Sequence, residues 1–273
     1  MKISACLVIH NEEAVLFKCL KSLKQIASEI IIIHDGPCRD KSLQIARDFG
    51  AKIYVRNFVG EAEFHRPFSY QKASGDWILQ IDADEVLSAK LVKTIPQLAN
   101  STSCDAYSFS WPYPDKQGLI KNGPFAKTLK PSLFKKNLLY MIGISHEYPR
   151  SYGRMCLRND LTVIHSPSYD NFTLSMFVSK WNNWAHLQAE QLKYLDRLPL
   201  FNIPDKYHSP LFLEIKRTYQ YPILTGLSET LKFLLLYFWR GLLFAGFRSW
   251  KIALFEITYI WLVRFYSLKK KYG

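Results

Sequence analysis

The chain has 273 residues, of which 48% are hydrophobic, 15% aromatic and 22% charged. That composition excludes a disordered or low-complexity chain, and the length allows one large α/β domain with an appendage. The formal net charge of +13 is unevenly spread: 13 Lys/Arg stand against 12 Asp/Glu in residues 1–100, 12 against 7 in 101–200, and 11 against 4 in 201–273. The basic C-terminal third points to an anionic partner such as phospholipid, nucleic acid or a phosphorylated substrate.

Cys6, Cys19, Cys38, Cys104 and Cys156 are scattered and form no C-x-x-C pair. Buried reduced thiols are therefore expected, not a zinc ribbon or a disulfide framework. No signal peptide is expected, because the apolar run after Lys2 is short and ends in Asn11-Glu12-Glu13. No transmembrane span is expected either, since the charge-free stretches near the C-terminus fall short of about 18–20 apolar residues.

The first 85 residues alternate between two periodicities. Ile3–Ile9, Ile30–Ile33, Lys52–Val55 and Trp77–Ile81 are apolar runs that suit strands buried on both faces of a parallel sheet. Between the first two, Leu16, Cys19, Leu20, Leu23 and Ile26 share one helical face. Between the next two, Asp40 is placed to cap a helix that Gly50 ends. A third helix is expected to start near Pro67 and end at Gly75. This order predicts a doubly wound α/β core. Beyond residue 100, CDAYSFSW, PSLFKK, LLYMIGI and LTVIH read as short strands of a mixed or antiparallel sheet, and from Thr173 the pattern is helical.

In such a sheet, ligands bind beyond the carboxyl ends of the strands. Those ends carry His10-Asn11-Glu12-Glu13, His34-Asp35-Gly36 and Asp82-Ala83-Asp84-Glu85. Glu12 and Glu13 could equally serve as helix N-terminal acids. Asp82, Asp84 and Glu85 repel one another, and a shared cation would relieve that repulsion. In an extended segment Asp82 and Asp84 would point to one side, and carboxylate oxygens suit Mg²⁺ or Mn²⁺ bridging a diphosphate.

The pieces ISACLVIHNEE, IIIIHDGPCRDKSLQIA and ASGDWILQIDADE, in that order, resemble the family 2 glycosyltransferases of GT-A fold. KPSLFKK, GISHE, LTVIH and the aromatic, basic tail extend the similarity to the bacterial lipopolysaccharide inner-core glucosyltransferase subgroup. The resemblance implies a catalytic domain over residues 1–172, with a nucleotide-sugar half (1–100) and an acceptor half (101–172), and a helical extension over 173–273. It implies an inverting transferase that moves a hexose, glucose from UDP-glucose being expected, to a lipopolysaccharide-core or other lipid-linked saccharide. Asp35 would hydrogen-bond the uracil or ribose. His10, Asn11 and Glu12 would line the base pocket, and Arg66 would lie near the phosphates. Asp82 would face the ribose or a metal-bound water, and Asp84 would ligate Mn²⁺ or Mg²⁺ on the diphosphate. HDGPCRD departs from the family's usual D-G-S-x-D by placing Pro37 in that loop.

A base is needed on the acceptor side to take the proton of the attacking hydroxyl. Glu147 in GISHE is the first candidate and Asp115 in PYPDKQG the second. His165, ending LTVIH, is either a core histidine on a backbone carbonyl or a metal ligand. His146 could position acceptor or diphosphate, whereas His186 and His208 read as structural or surface residues. Trp111, Tyr113, Trp181 and Trp184 are either sugar-stacking or core aromatics.

Taken as one helix, residues 229–251 place Glu229, Lys232, Arg240, Arg248 and Lys251 in one arc and apolar side chains in the rest. That pattern, with Lys269-Lys270-Lys271 behind it, fits a helix lying on an anionic membrane surface or one that packs on the catalytic domain or a second subunit. The lipid-anchored acceptor that the resemblance implies favours the membrane, and with it the cytoplasmic face of the inner membrane. Two other readings were weighed. A sugar-nucleotide pyrophosphorylase would need a glycine-rich, Arg-containing first loop where HNEEAV stands. A nucleic-acid-binding protein would need a motif that the near-neutral first third does not carry.

Overall fold

The computed structural model describes residues 1–115, 118–205 and 209–273, the side chain of Asp115 excepted. The chain divides into two compact units: residues 1–114, 128–168 and 199–202 in one, and 115–127, 169–198 and 203–273 in the other.

The first unit opens with β1 (Ile3–Ile9), α1 (Glu13–Leu23), β2 (Glu29–Asp35), α2 (Ser42–Asp48), β3 (Lys52–Arg56), α3 (Ala62–Lys72) and β4 (Trp77–Gln80). These are followed by β5 (Glu85–Leu87), α4 (Ala89–Asn100), β6 (Ala106–Ser110) and β9 (Leu129–Lys135), while the ribbon strands β7 (Pro114–Asp115) and β8 (Gly118–Leu119) fall where the chain leaves this unit for the second. Then come β10 (Leu139–Ile142), β11 (Arg150–Ser151), β12 (Met155–His165) and β13 (Leu200–Phe201). Eight strands form one sheet in the order β3-β2-β1-β4-β9-β6-β12-β5, and β11-β10-β13 form a small one. β1 to β4 pair in parallel, whereas β9 is antiparallel to both β4 and β6. The expected α/β class, with a doubly wound core and a mixed sheet, is what the chain adopts.

The apolar runs are strands because both of their faces are covered. Ile3, Ala5, Leu7 and Ile9 join Leu16, Leu20 and Leu23 of α1 on one side of the sheet. Cys6, Ile31, Ile33 and Ile78 join Tyr70 and Ala73 of α3 on the other. The alternation of odd and even residues is the period-two pleat of a strand.

Two expectations about this unit are corrected. α3 starts at Ala62, so Pro67 lies inside it and removes an internal N–H. The entry to α3 is set instead by Asp35, whose carboxylate accepts from the N–H groups of Val59 and Gly60. Cys104 and Cys156, expected as reduced thiols, are joined in a disulfide with Cα atoms 6.0 Å apart. They flank the parallel pair β6 and β12, whose register opposes Cys156 to Tyr107. The pairing escapes sequence reading because 52 residues separate the two cysteines.

The second unit is helical. α5 (Leu174–Met176) runs through a π-helical turn at 177–181 into α6 (Asn182–Lys193), followed by α7 (Pro210–Gln220), α8 (Pro222–Trp239) and α9 (Gly246–Tyr272). The single helix expected over 229–251 is therefore two. Gly241 adopts φ 88 and Gly246 φ 76, left-handed values that end one helix and start the next. Among the described residues no helix is long and apolar enough to cross a membrane.

At the edge where the parallel strands begin, Glu29 gathers three segments. Its carboxylate accepts from Ser4 Oγ at 2.5 Å, Lys52 Nζ at 2.6 Å and the Ser74 backbone N–H at 2.6 Å. Gly75 completes the knot, because a Cβ there would come within 2.7 Å of Ser4 Oγ. Burial alone would raise the Glu29 carboxyl, but Lys52, Ser4 and Ser74 outweigh it and bring it down to about 2. A carboxylate depressed in the folded state stabilises above its unfolded value, roughly 4.3, and loses that contribution as pH falls toward 2. Glu29→Gln is expected to cost about 1–3 kcal/mol at pH 7. Chemical denaturation at stepwise lower pH should show the gap to wild type closing between pH 4 and pH 2.

Candidate active site

The acidic sequence after β4 does not continue as a strand. The N–H of Glu85 donates to the Asp82 carbonyl at 3.1 Å, and Glu85 Oε2 accepts from the Asp82 N–H at 2.8 Å. This closed turn reverses the chain, so β5 pairs antiparallel with β12 and Glu85 lies opposite His165. Asp82 and Asp84 thus engage different partners, contrary to the extended geometry expected.

Asp82 accepts from Arg66 Nη2 at 2.9 Å and from Lys130 Nζ at 2.6 Å. Lys130, only 2% exposed, also donates to Glu85 Oε1 at 2.6 Å. Trp111 Nε1 donates to the same Glu85 oxygen at 2.5 Å. The cation that relieves the carboxylate repulsion at Asp82 and Glu85 is therefore an internal lysine. Burial would raise the Asp82 carboxyl, but Arg66 and Lys130 hold it well below the usual carboxylate range. Burial pushes the Glu85 carboxyl upward against the pull of Lys130, with Asp82 adding to the push. Burial disfavours the Lys130 ammonium, yet Asp82 and Glu85 raise its pKa above the ordinary value. Arg66 also faces Glu63 at 3.6 Å, and its buried Nε has no hydrogen-bond partner among the described residues.

Asp84 stands apart from this neutralised pair. Its Oδ2 lies 3.1 Å from His165 Nε2. The His165 ring stacks on Trp111, with centroids 4.6 Å apart and planes 19° from parallel. His165 is thus no backbone-bonded core histidine: its buried Nδ1 has no partner among the described residues. Trp111 is likewise committed to Glu85 and His165 and is not a free sugar platform. Among the described residues no group of three or more His, Cys, Asp or Glu side chains is arranged to hold a metal ion. Asp84 and His165 nevertheless fit as two ligands. Their 3.1 Å separation matches the roughly 3 Å between neighbouring ligands of a six-coordinate ion with bonds near 2.1 Å. The Asp84 oxygen suits either Mn²⁺ or Mg²⁺, and the imidazole beside it favours the softer Mn²⁺, with phosphate oxygens or water completing the shell.

The ends of β1 and β2 carry the other predicted residues. Asp35 is buried, and besides Val59 and Gly60 it meets His65 Nε2 at 2.9 Å. Burial opposes its ionisation, but His65 and the two N–H groups bring its carboxyl below the usual range. His10 Nδ1 lies 2.5 Å from the Asp35 carbonyl, and its ring lies 4.9 Å from that of Phe58. Asn11, in left-handed backbone with φ 56, accepts the Arg39 N–H on its side-chain oxygen at 2.8 Å. The Glu12 N–H donates to Ser42 Oγ at 2.6 Å. Asp40, in the loop that contains Pro37, accepts from the N–H groups of Ser42 and Glu13. Gly36 has φ 82, and a Cβ on it would come within 2.9 Å of Phe58 Cβ. Phe58 and His65 carry no strand-end signature, which is why sequence reasoning passed over them.

Glu147 pairs with Arg150, Oε1 to Nη2 at 2.9 Å and to Nε at 3.0 Å. Its neighbour His146 is exposed and left-handed, with φ 59. Tyr148, next in this loop, is exposed. The Asp115 side chain and His208 lie outside the described residues. His186 is exposed and packs its ring against Tyr266, centroids 5.1 Å apart, whereas Trp181 is buried among Phe172, Phe255 and Tyr259, in keeping with a core role.

Lys130→Met would leave Asp82 and Glu85 without their shared ammonium. Breaking a buried ion pair in this way costs about 3–5 kcal/mol, a fall of roughly 10 °C in melting temperature for a chain of this size. Differential scanning calorimetry of the variant checks this. Glu85→Gln in the same background should recover part of the loss, because it removes one of the two carboxylates that lost their partner.

The comparisons with known proteins bear on the family and the fold. An uncharacterized glycosyltransferase of Rickettsia bellii is 38% identical over 106 residues, 39% of this chain and 35% of that protein. The lipopolysaccharide core biosynthesis glycosyltransferase LpsC of Rhizobium meliloti is 32% identical over 105 residues, 36% of this chain and 37% of its own length. The chain thus matches little more than a third of the length of these curated relatives. The crystal structure of S. aureus TarS 1–349 in complex with UDP-GlcNAc shares the fold with a TM-score of 0.51 at 13% identity, covering 99% of this chain and 92% of that one. The GT-A architecture expected from the sequence is the one observed. The model of the family described as glycosyl transferase family 2 matches residues 4–161, more than half of the chain and every element of the acidic turn, and the chain belongs to that family.

Proposed function

We propose that this chain transfers a hexosyl group, glucose first among the candidates, from a UDP-linked donor to a hydroxyl of a lipid-linked saccharide of the lipopolysaccharide-core type, with inversion at the anomeric carbon. The observation that carries the reading is the division of the acidic turn. Asp82 is neutralised from within by Arg66 and Lys130, whereas among the described residues the Asp84 side chain meets His165 alone. One carboxylate is thus fixed as a positioning group and the other is left for a ligand. The name of the Rhizobium meliloti relative supports the acceptor class, and the UDP-GlcNAc complex of the structural neighbour supports the donor class.

In this reading His10, Asn11, Glu12 and Asp35 receive the nucleoside, and Asp82, held by Arg66, faces the ribose. A divalent cation, Mn²⁺ or Mg²⁺, held by Asp84 and His165 supplies charge neutralisation at the diphosphate. Arg66 adds a fixed positive charge on the same side. Glu147, paired with Arg150, takes the proton as the acceptor oxygen attacks C1 and the C1–O bond to the diphosphate breaks. The basic C-terminal third holds the enzyme at an anionic lipid surface, the cytoplasmic face of the inner membrane, where such an acceptor resides.

Asp84→Ala is expected to lower transfer at least 100-fold and to abolish the Mn²⁺-dependent part of UDP binding while the chain stays folded. Isothermal titration with UDP, with and without Mn²⁺, checks this, and full activity in the purified variant would remove the metal assignment. Glu147→Gln is expected to keep donor affinity and lose turnover by about 100-fold or more. Normal turnover would shift the base to another group, Asp115 first. Thermal-shift profiles across nucleotide sugars identify the donor.

A further inference from the structure

The second unit displays apolar surface in an ordered way. Along α8, Leu224, Leu227, Leu231 and Leu235 are each more than half exposed, and their spacing of three, four and four residues puts them on one helical face. Trp239, four residues on, extends the stripe and is 91% exposed. Beyond Gly241 the turn offers Leu243, Phe244 and Phe247, the two phenylalanines 93% and 83% exposed. A Cβ on Gly241 or Gly246 would meet nothing within 4 Å, so these glycines serve the turn and not packing.

This surface is held on a fixed hairpin. Leu242 is fully buried beneath the turn. Between the helices, Arg264 of α9 pairs with Glu229 of α8 at 2.5 Å, and a Cβ on Gly226 would come within 3.2 Å of Arg264 Cγ, so the glycine makes room for that side chain. Residues 222–255 contain four basic side chains, Lys232, Arg240, Arg248 and Lys251, and the only acidic residue among them, Glu229, is the partner of Arg264. A contiguous apolar patch of this kind marks an interaction surface. A second copy of α8 could cover the leucine stripe, but self-pairing would bring Lys232 and Arg240 against their own kind and leave the aromatic turn in water. An anionic bilayer accommodates all three features together: stripe, aromatic turn and flanking cations.

We propose that α8 lies in the plane of an anionic bilayer interface with its leucine stripe downward, and that the turn of Trp239, Leu243, Phe244 and Phe247 enters the lipid deepest. This rests on the membrane reading above and adds the orientation and the inserting element. The test is flotation of the full chain on vesicles of phosphatidylcholine with roughly 30 mol % phosphatidylglycerol. The wild type is compared with a turn variant, W239S/F244S/F247S, and a stripe variant, L231S/L235S, each checked for unchanged thermal stability. The turn variant is expected to bind at least tenfold more weakly than wild type, and high salt to release the wild type only in part. Vesicles of brominated lipid should quench a fraction of wild-type fluorescence that Trp239→Phe removes. A turn variant that floats like the wild type overturns the insertion of the turn and leaves the membrane reading standing. A wild type that stays in solution overturns both. A lipid-free dimer dissolved by the stripe substitutions assigns the stripe to self-association and overturns the proposal.

Discussion

A lysine ammonium enclosed by protein is stable only where carboxylates meet it at close range, and Lys130 meets two. Its Nζ stands 2.6 Å from both Asp82 and Glu85, and the site is organised around that point. With its charge matched by Lys130, Glu85 can sit fully buried at the start of β5, opposite His165. Glu85 in turn receives the indole N–H of Trp111, and Trp111 supplies the flat surface on which His165 stacks. The position of His165 beside Asp84 is thus two steps removed from a charge on β9. A lone buried ion pair is weak evidence for stability, because desolvation offsets much of the Coulomb gain. Its effect here is geometric: it turns Asp82 and Glu85 inward, and Asp84 faces His165 instead.

The two edges of the parallel sheet use carboxylates in different ways. Where the strands begin, Glu29 ties β1, β3 and the residues before β4 together, and each of its hydrogen bonds goes to the protein. Where the strands end, Asp35 and Asp82 are also held by the protein, through backbone N–H groups and His65 in one case and Arg66 and Lys130 in the other. The difference at that second edge is Asp84, whose described side-chain partner is a histidine on an adjacent strand. One edge is closed by its hydrogen bonds and the other keeps an oxygen and an imidazole side by side, which is the arrangement a ligand-binding edge requires.

Much of this architecture is legible in the sequence for physical reasons. Ile30–Ile33 has no polar position, so both of its faces must be covered, and a doubly wound sheet is the arrangement that covers them. The acidic and histidine-bearing strand ends follow from the same reading. What escapes is long-range: Lys130 looks like an ordinary lysine in KPSLFKK because its partners lie 45 and 48 residues away. The turn at 82–85 escapes because Asp-Ala-Asp has no glycine or proline to announce it. Pro67 misleads in the opposite sense, since a tertiary clamp by Asp35 starts α3 earlier than local rules allow. In the tail, Gly241 and Gly246 carry the signal for a break, but a helical wheel drawn through them averages it away.

The bond between Cys104 and Cys156 makes residues 104–156 a covalent ring. Inside it lie β6, β9 and β10, with Trp111, Lys130 and Glu147, whereas Asp82, Asp84 and His165 lie outside. A backbone cut anywhere within the ring leaves one molecule and not two fragments, joined through the pair β6 and β12. The loops within the ring can therefore be nicked, or the chain given new ends there, without separating Lys130 from the strands that carry its partners. The same closure limits how far apart those strands drift in the unfolded chain, a loop-closure restriction worth roughly 4 kcal/mol for a ring of about fifty residues.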